Sequence, residues 1–273
     1  MPKNIPKFEY KVPTFAPGPV RKEIMQCLRD IALDEQNVRY YKYTDGVISG
    51  CALVEEDMKI GLINGIVKFA GRIYKLKEKL LVPYEPTDAL TILKLRFAPQ
   101  SSHKEYTHYT AELVLDTDTV IKPHEMEMGR FKLKRGSRLR TVYVDFWDMA
   151  TEYDTVNLIN VPQAAVGNAT NTTTLSPAIT NYFAREAYGF FTNSTTNPNP
   201  LDIAFCTNIL ADGRPINREL IEMYVCNRLE QKYTGKLSNI QLYETLGEVL
   251  NLITGRSVVD KGLGHDDGII LIN

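Results

Sequence analysis

The stretch INGIVKFAGRIYKL, residues 63–76, sets Gly65 and Gly71 six positions apart among β-branched and aromatic side chains. Val, Ile, Phe and Tyr fit a pleated backbone, and glycine enters the positive-φ region without steric cost. Asn64-Gly65 and Ala70-Gly71 therefore read as reversals of an extended chain. The stretch becomes a tight three-stranded meander with Gly65 and Gly71 as its structural turns. The same rhythm runs from about Val38 to Val161, in VRYYKY, GVISGCALV, MKIGLI, GIVKFA, RIYKLK, ALTILKLRF, YTHYTAELVL, RFKLK and LRTVYVDF. Short runs of this composition, parted by Gly, Pro, Asp and Asn with no helix between them, predict an antiparallel β-sandwich or barrel-like module over residues 38–161.

Either side of that module the chemistry changes. Pro2, Pro6, Pro13, Pro17 and Pro19 hold the first residues out of regular helix, which predicts an extended arm. Val20, Ile24, Cys27, Leu28 and Ile31 then lie along one side of a lead helix, so residues 1–37 form an arm and a helix. After Val161 the Asn/Thr-rich segments 167–174 and 192–199 read as loops around helices. Ser176 and Pro177 open a helix with the stripe Ile179, Tyr182, Phe183, Ala187 and Phe190. A second runs from about Leu201 to Ala211 and stops at Gly213, and a third begins at Asn217 with Ile216 and Ile221 as a staple. The last carries a capping box, Ser238 with Gln241, a staple of Leu237 and Leu242, and Gly255 as its stop. Residues 162–273 thus form a helical region, closed by GIILIN as a short strand or hook. The fold class is α+β.

Several chemistries lack their signatures. No Gly-x-x-x-x-Gly-Lys-[Ser/Thr] phosphate cradle and no Gly-x-Ser-x-Gly elbow occurs, so neither nucleotide hydrolysis nor a hydrolase is indicated, and no catalytic residue is assigned. Cys27, Cys51, Cys206 and Cys226 are scattered and read as reduced structural thiols. His103 and His108 would face opposite sides of a regular strand. His124 beside Glu125 and Glu127, and His265 beside Asp266 and Asp267, read as solvated loop groups rather than ion ligands. No cofactor or metal is expected. The opening residues lack the apolar core of a signal peptide and no run of about 18 apolar residues appears, which predicts synthesis in a cytosol without membrane insertion.

Formal net charge is −1, with a small excess of Lys and Arg before residue 150 and of Asp and Glu after it. The concentrated exception is GRFKLKRGSRLR, Gly129 to Arg140, where six of twelve residues are basic. In strand geometry Arg130, Lys132 and Lys134 share one face, a candidate contact for a polyanion such as nucleic acid. The competing reading is a solvated outer face or a charged edge that discourages pairing, and no aromatic residue interleaves with the basic ones.

Residues 46–76, GVISGCALVEEDMKIGLINGIVKFAGRIYKL, resemble the N-terminal region of bacteriophage tail, baseplate and fibre-attachment proteins, including those of phage-tail-like particles of Gram-positive bacteria. Ser49-Gly50, Ile60, Ile63, Gly65, Val67, Phe69, Gly71 and Tyr74 occupy the places of that pattern, although Asn64 stands where the family often has Pro. The resemblance implies a virion or particle protein that acts by protein–protein contact with other tail or baseplate subunits and a fibre. Homo-oligomerisation, a trimer being one such state, is extrapolated from such particles. The apolar arm residues Phe8, Tyr10 and Phe15 are then the candidate partner-docking side chains. Two other functions remain open at this point. One is a carbohydrate-binding receptor protein of the same particle, using exposed Tyr and Trp147. The other is a nucleic-acid-binding protein using the ribbon at 129–140.

Overall fold

A computed structural model describes residues 22–102, 107–150, 153–166, 172–193, 197–233, 235 and 237–255. The chain divides into two units, Met1–Tyr43 and Thr44–Asn273. The described part of the first is dominated by α1 (Lys22–Tyr40), none of whose 19 residues is buried. VRYYKY is not a strand. Val38 to Tyr40 form the last turn of α1, fastened by Arg39 to Glu35 at 2.8 Å and by the Tyr41 N–H to the Asn37 carbonyl at 2.8 Å. The helical spacing of Ile24, Ile31 and Val38 outweighs the β-favouring composition of its final residues.

The second unit is α+β. Its strands are β1 (Gly46–Gly50), β2 (Leu53–Glu56), β3 (Lys59–Leu62), β4 (Gly65–Phe69), β5 (Arg72–Leu76), β6 (Leu80–Pro83), β7 (Leu90–Phe97), β8 (Ser101–Ser102), β9 (Thr107–His108), β10 (Ala111–Asp116) and β11 (Glu125–Lys132). Among the described residues they pair antiparallel into three three-stranded sheets, β1-β4-β5, β2-β3-β6 and β10-β7-β11, plus the ribbon β8-β9, with no closed barrel. Alternate side chains of these sheets meet in one core that includes Ile60, Leu62, Leu93, Leu95, Met128 and Phe131. LRTVYVDF adds no strand; it runs irregularly into a 3-10 turn at Trp147–Ala150, because Arg140 and Asp148 take up its backbone groups.

The 63–76 stretch is divided between two sheets. β3 belongs with β2 and β6 while β4 and β5 belong with β1, so Ile63 and Asn64 carry the chain from one sheet to the next instead of turning a hairpin. Gly65 does not have positive φ; it lies inside β4 opposite Gly50. What requires glycine there is proximity, since a Cβ would sit 2.4 Å from the Cys51 nitrogen and 2.8 Å from the Ser49 carbonyl oxygen. Ala70 and Gly71 form the two-residue β4–β5 turn, with φ of 48° and 73°, the combination of a primed hairpin.

The helices are α2 (Pro177–Asn193), α3 (Pro200–Asp212), α4 (Arg218–Arg228) and α5 (Asn239–Thr254). Their ends follow cap chemistry: Asn199 and Asn217 accept from Leu201 and Glu219 backbone N–H groups, Ser238 and Gln241 close a capping box, and Gly213 and Gly255 are left-handed stops. They share a second core around Phe146, Met149, Phe183, Ile221, Leu242 and Leu246. Tyrosine hydroxyls tie this core to the irregular segment after β11: Tyr182 donates to the Tyr143 carbonyl at 2.9 Å, and Tyr243 to the Phe146 carbonyl at 2.8 Å.

Candidate docking surfaces

Phe8, Tyr10 and Phe15 lie outside the described residues. The helix that follows them is described. On α1, Ile24, Cys27 and Ile31 are half-buried, while Met25, Leu28, Leu33 and Val38 are exposed, Val38 to 74%. Its ion pairs, Arg29 with Asp30 and Arg39 with Glu35, are solvent-exposed, so each contributes only tenths of a kcal/mol. An isolated helix of this length is marginal in water, and tertiary packing of an apolar face supplies most helical stability in proteins. None of the described residues of α1 is fully buried.

Three of the six basic residues of the ribbon are ion-paired within the molecule. Arg130 makes two bonds of 2.7 Å to Glu127, Arg138 meets Glu55 at 3.0 Å, and Arg140 holds Asp148 at 2.7 Å and Asp154 at 3.3 Å. Lys132 and Lys134 reach over the ring of Tyr153, at 5.7 and 5.2 Å from its centroid. Phosphate binding would have to compete with these partners, which leaves a weak polyanion surface. Trp147 is also engaged. Its ring is nearly perpendicular to those of Phe146 and Tyr243, and a Cβ at Gly247 would fall 2.1 Å from the outer edge of its six-membered ring, so that edge lies directly against α5.

Sequence reasoning missed the buried charge centre of β7 and β11. Lys94 is fully buried, and its ammonium donates to the Asp118 carbonyl at 2.7 Å, the Val120 carbonyl at 3.0 Å and Glu125 at 3.3 Å. Arg96 adds a bond of 3.0 Å to Glu125. Burial works to raise the Glu125 carboxyl, but the Lys122 N–H, Arg96 and Lys94 outweigh it and hold the group below the usual range. Glu125 and Glu127 are therefore internal counter-ions of a strand and not the loop groups beside His124 that their spacing predicts. The signal was present as the alternation Glu125, Glu127 against Met126, Met128, which fits a strand with two differently used faces.

Where the β core meets the helices of the second unit there is a cleft of 590 Å³, lined by Val47, Cys51, Met128, Tyr143, Pro177 and Arg214 among others. Burial pushes the Cys51 thiol up to about 11, which keeps it protonated and a poor nucleophile at neutral pH. Cys206, in the helical core, is pushed up to about 12, again by burial first. Among the described residues no group of three or more His, Cys, Asp and Glu side chains could hold a metal ion, and no helix is long and apolar enough to cross a membrane.

No protein family and no curated protein matches the sequence. Among solved structures, the chain is similar to the crystal structure of TssK at 9% identity and a TM-score of 0.40, over 90% of this chain and 71% of that chain. It is also similar to a chain of the TssK-TssF-TssG baseplate subcomplex of the type VI secretion system, seen by cryo-electron microscopy. There the identity is 9% and the TM-score 0.37, over 92% of this chain and 100% of that one. At these scores the likeness is too distant to carry a functional assignment.

Proposed function

We propose that the chain is a non-enzymatic structural subunit of a phage tail or phage-tail-like particle, placed at the baseplate or as the connector where fibres attach. It works through contacts with neighbouring subunits in a symmetric homo-oligomer. The observation that carries the reading is α1, 19 residues long with an apolar stripe and no buried residue. Such a helix gains its stability only when a surface covers Ile24, Leu28, Ile31 and Val38. The resemblance of residues 46–76 to tail and baseplate proteins supplies the kind of assembly. By contrast, three of the arginines that could have served a polyanion site, Arg130, Arg138 and Arg140, are engaged in ion pairs within the chain.

The test is incorporation. Ile24→Asp with Ile31→Asp should abolish co-sedimentation with tail-shaped particles, while circular dichroism of the full-length chain shows that it still folds. Undiminished incorporation of that double variant would remove the docking role.

A further inference from the structure

Three strands bring aromatic side chains to one joint between the sheets β1-β4-β5 and β10-β7-β11. Phe69 of β4 stacks on Phe97 of β7 with ring centroids 3.8 Å apart, and Tyr74 of β5 stands edge-on to Phe97 at 4.9 Å. Phe97 is buried, while Phe69, Tyr74 and Tyr109 are half-buried and keep part of their surface accessible. Together they line a pocket of 390 Å³, a volume within the range of clefts that hold ligands.

The polar lining of this pocket is rich in donors. Arg72 lies over the Tyr109 ring, 4.3 Å from its centroid, and the Tyr109 hydroxyl donates to Gln100 Oε1 at 2.9 Å, which leaves the Gln100 amide N–H groups for another acceptor. Among the described residues nothing accepts from the Arg72 guanidinium, the Gln100 amide or the Tyr74 hydroxyl. No carboxylate lines the pocket. An occupant must therefore bring acceptors and few donors, together with compact apolar groups that pack on Tyr and Phe rings. An α-helix fails on this count, because its mid-helix carbonyls are spent on its own N–H groups, and an ordinary extended segment brings one N–H for every carbonyl. A proline-rich segment meets it. Each proline supplies a carbonyl without an N–H, a polyproline II backbone makes no internal hydrogen bonds, and aromatic-lined grooves are where such segments dock.

We propose that this aromatic pocket takes the proline-rich arm of a neighbouring copy of the chain, residues 11–19. That segment, which lies outside the described residues, reads KVPTFAPGP, with Pro13, Pro17 and Pro19 at three of its nine positions and Phe15 between them. No nine-residue stretch after α1 begins holds three prolines. The 21 residues ahead of Lys22 would span about 65 Å as polyproline II, enough to reach an adjoining subunit. The proposal rests on the reading of the chain as a subunit of a homo-oligomer and names a contact that links its copies.

Peptide binding to the full-length chain tests the chemistry. The receptor carries Pro13→Ala, Pro17→Ala and Pro19→Ala, so that its own arm does not compete, and the probe is a fluorescent peptide of residues 8–20. Its polarisation should rise saturably with receptor concentration. Arg72→Ala and Tyr109→Ala should each weaken binding about tenfold, as loss of a central anchor does, with circular dichroism unchanged. The same peptide with its three prolines replaced by alanine should not bind. Absent binding, equal binding of the alanine peptide, or binding that survives both pocket variants would overturn the proposal. Sedimentation tests the source of the arm: the receptor chain, mixed with a chain carrying Arg72→Ala and Tyr109→Ala, should form a mixed species heavier than either alone. Peptide binding without that species would mean that the arm serves its own chain, and would overturn the assignment to a neighbour. Neither measurement involves particles, so an α1 variant that still enters them would strike the docking role of α1 and leave this contact standing.

Discussion

Gly65 and Gly71 look alike in the sequence and should respond differently to the same substitution. At Gly71 an added Cβ meets nothing within 4 Å, so alanine there pays only for φ of 73°. That costs about 1–2 kcal/mol, partly offset by the about 0.4–1 kcal/mol that an alanine gains through a more restricted unfolded chain. The net is a loss near 1 kcal/mol. At Gly65 the same unfolded-state gain applies, but the Cβ would stand 2.4 Å from the Cys51 nitrogen, and β1 and β4 must part locally. Overpacking costs about 1–3 kcal/mol, and losing the Cys51 N–H bond to the Asn64 carbonyl, now 3.1 Å, adds about 1 kcal/mol. Gly65→Ala should therefore lose about 2 kcal/mol. Trimming the thiol with Cys51→Ala should recover little, because the remaining close atoms belong to the backbone. Urea unfolding followed by circular dichroism measures both variants through their midpoints at constant slope. A Gly65→Ala loss no larger than that of Gly71→Ala would refute the reasoning.

Other consequences follow from named contacts. Lys94→Met takes one of two basic partners from the buried Glu125 and the ammonium donor from the Asp118 and Val120 carbonyls, and should cost about 3 kcal/mol, whereas Lys79→Ala, at the exposed pair with Glu56, should cost under about 1 kcal/mol by the same unfolding assay. Because the Glu125 and Asp116 carboxyls are held low in the fold, the unfolded chain takes up protons first as acid is added. Their stabilisation is present above about pH 4 and is lost as pH falls through the folded values, so the thermal midpoint should drop there, and less steeply in Glu125→Gln. Gly247→Ala should push the chain's single tryptophan off α5 and shift its fluorescence to longer wavelength, with a loss of about 1–3 kcal/mol. Wild type should leave a DNA column at modest salt, and Lys132→Glu with Lys134→Glu should barely change that elution; steep salt dependence abolished by the pair would restore the polyanion reading.

Much of the fold was legible because local and tertiary signals agreed. In α5 the capping box, the staple, the apolar stripe and the glycine stop all point to one helix, and that helix forms. The α+β class follows from the change of period between residues 46 and 177. Sheet partnership was not legible, because a run such as MKIGLINGIVKFA marks strands but does not say that β3 and β4 belong to different sheets. VRYYKY and LRTVYVDF misled because β-branched and aromatic composition is a weak prior that a continuing helix or side-chain hydrogen bonds can override. Glu125 and Glu127 misled for a related reason: their partners, Lys94, Arg96 and Arg130, are brought close only by the β7–β11 register for the first two.

Membership of a tail-like assembly, as proposed, is tested by mass spectrometry of gradient-purified tail-shaped particles from the producing cells. The chain should appear in the particle fraction at a fixed ratio to the other baseplate subunits. Finding it only in the unassembled soluble fraction, with particles complete without it, would contradict the proposal.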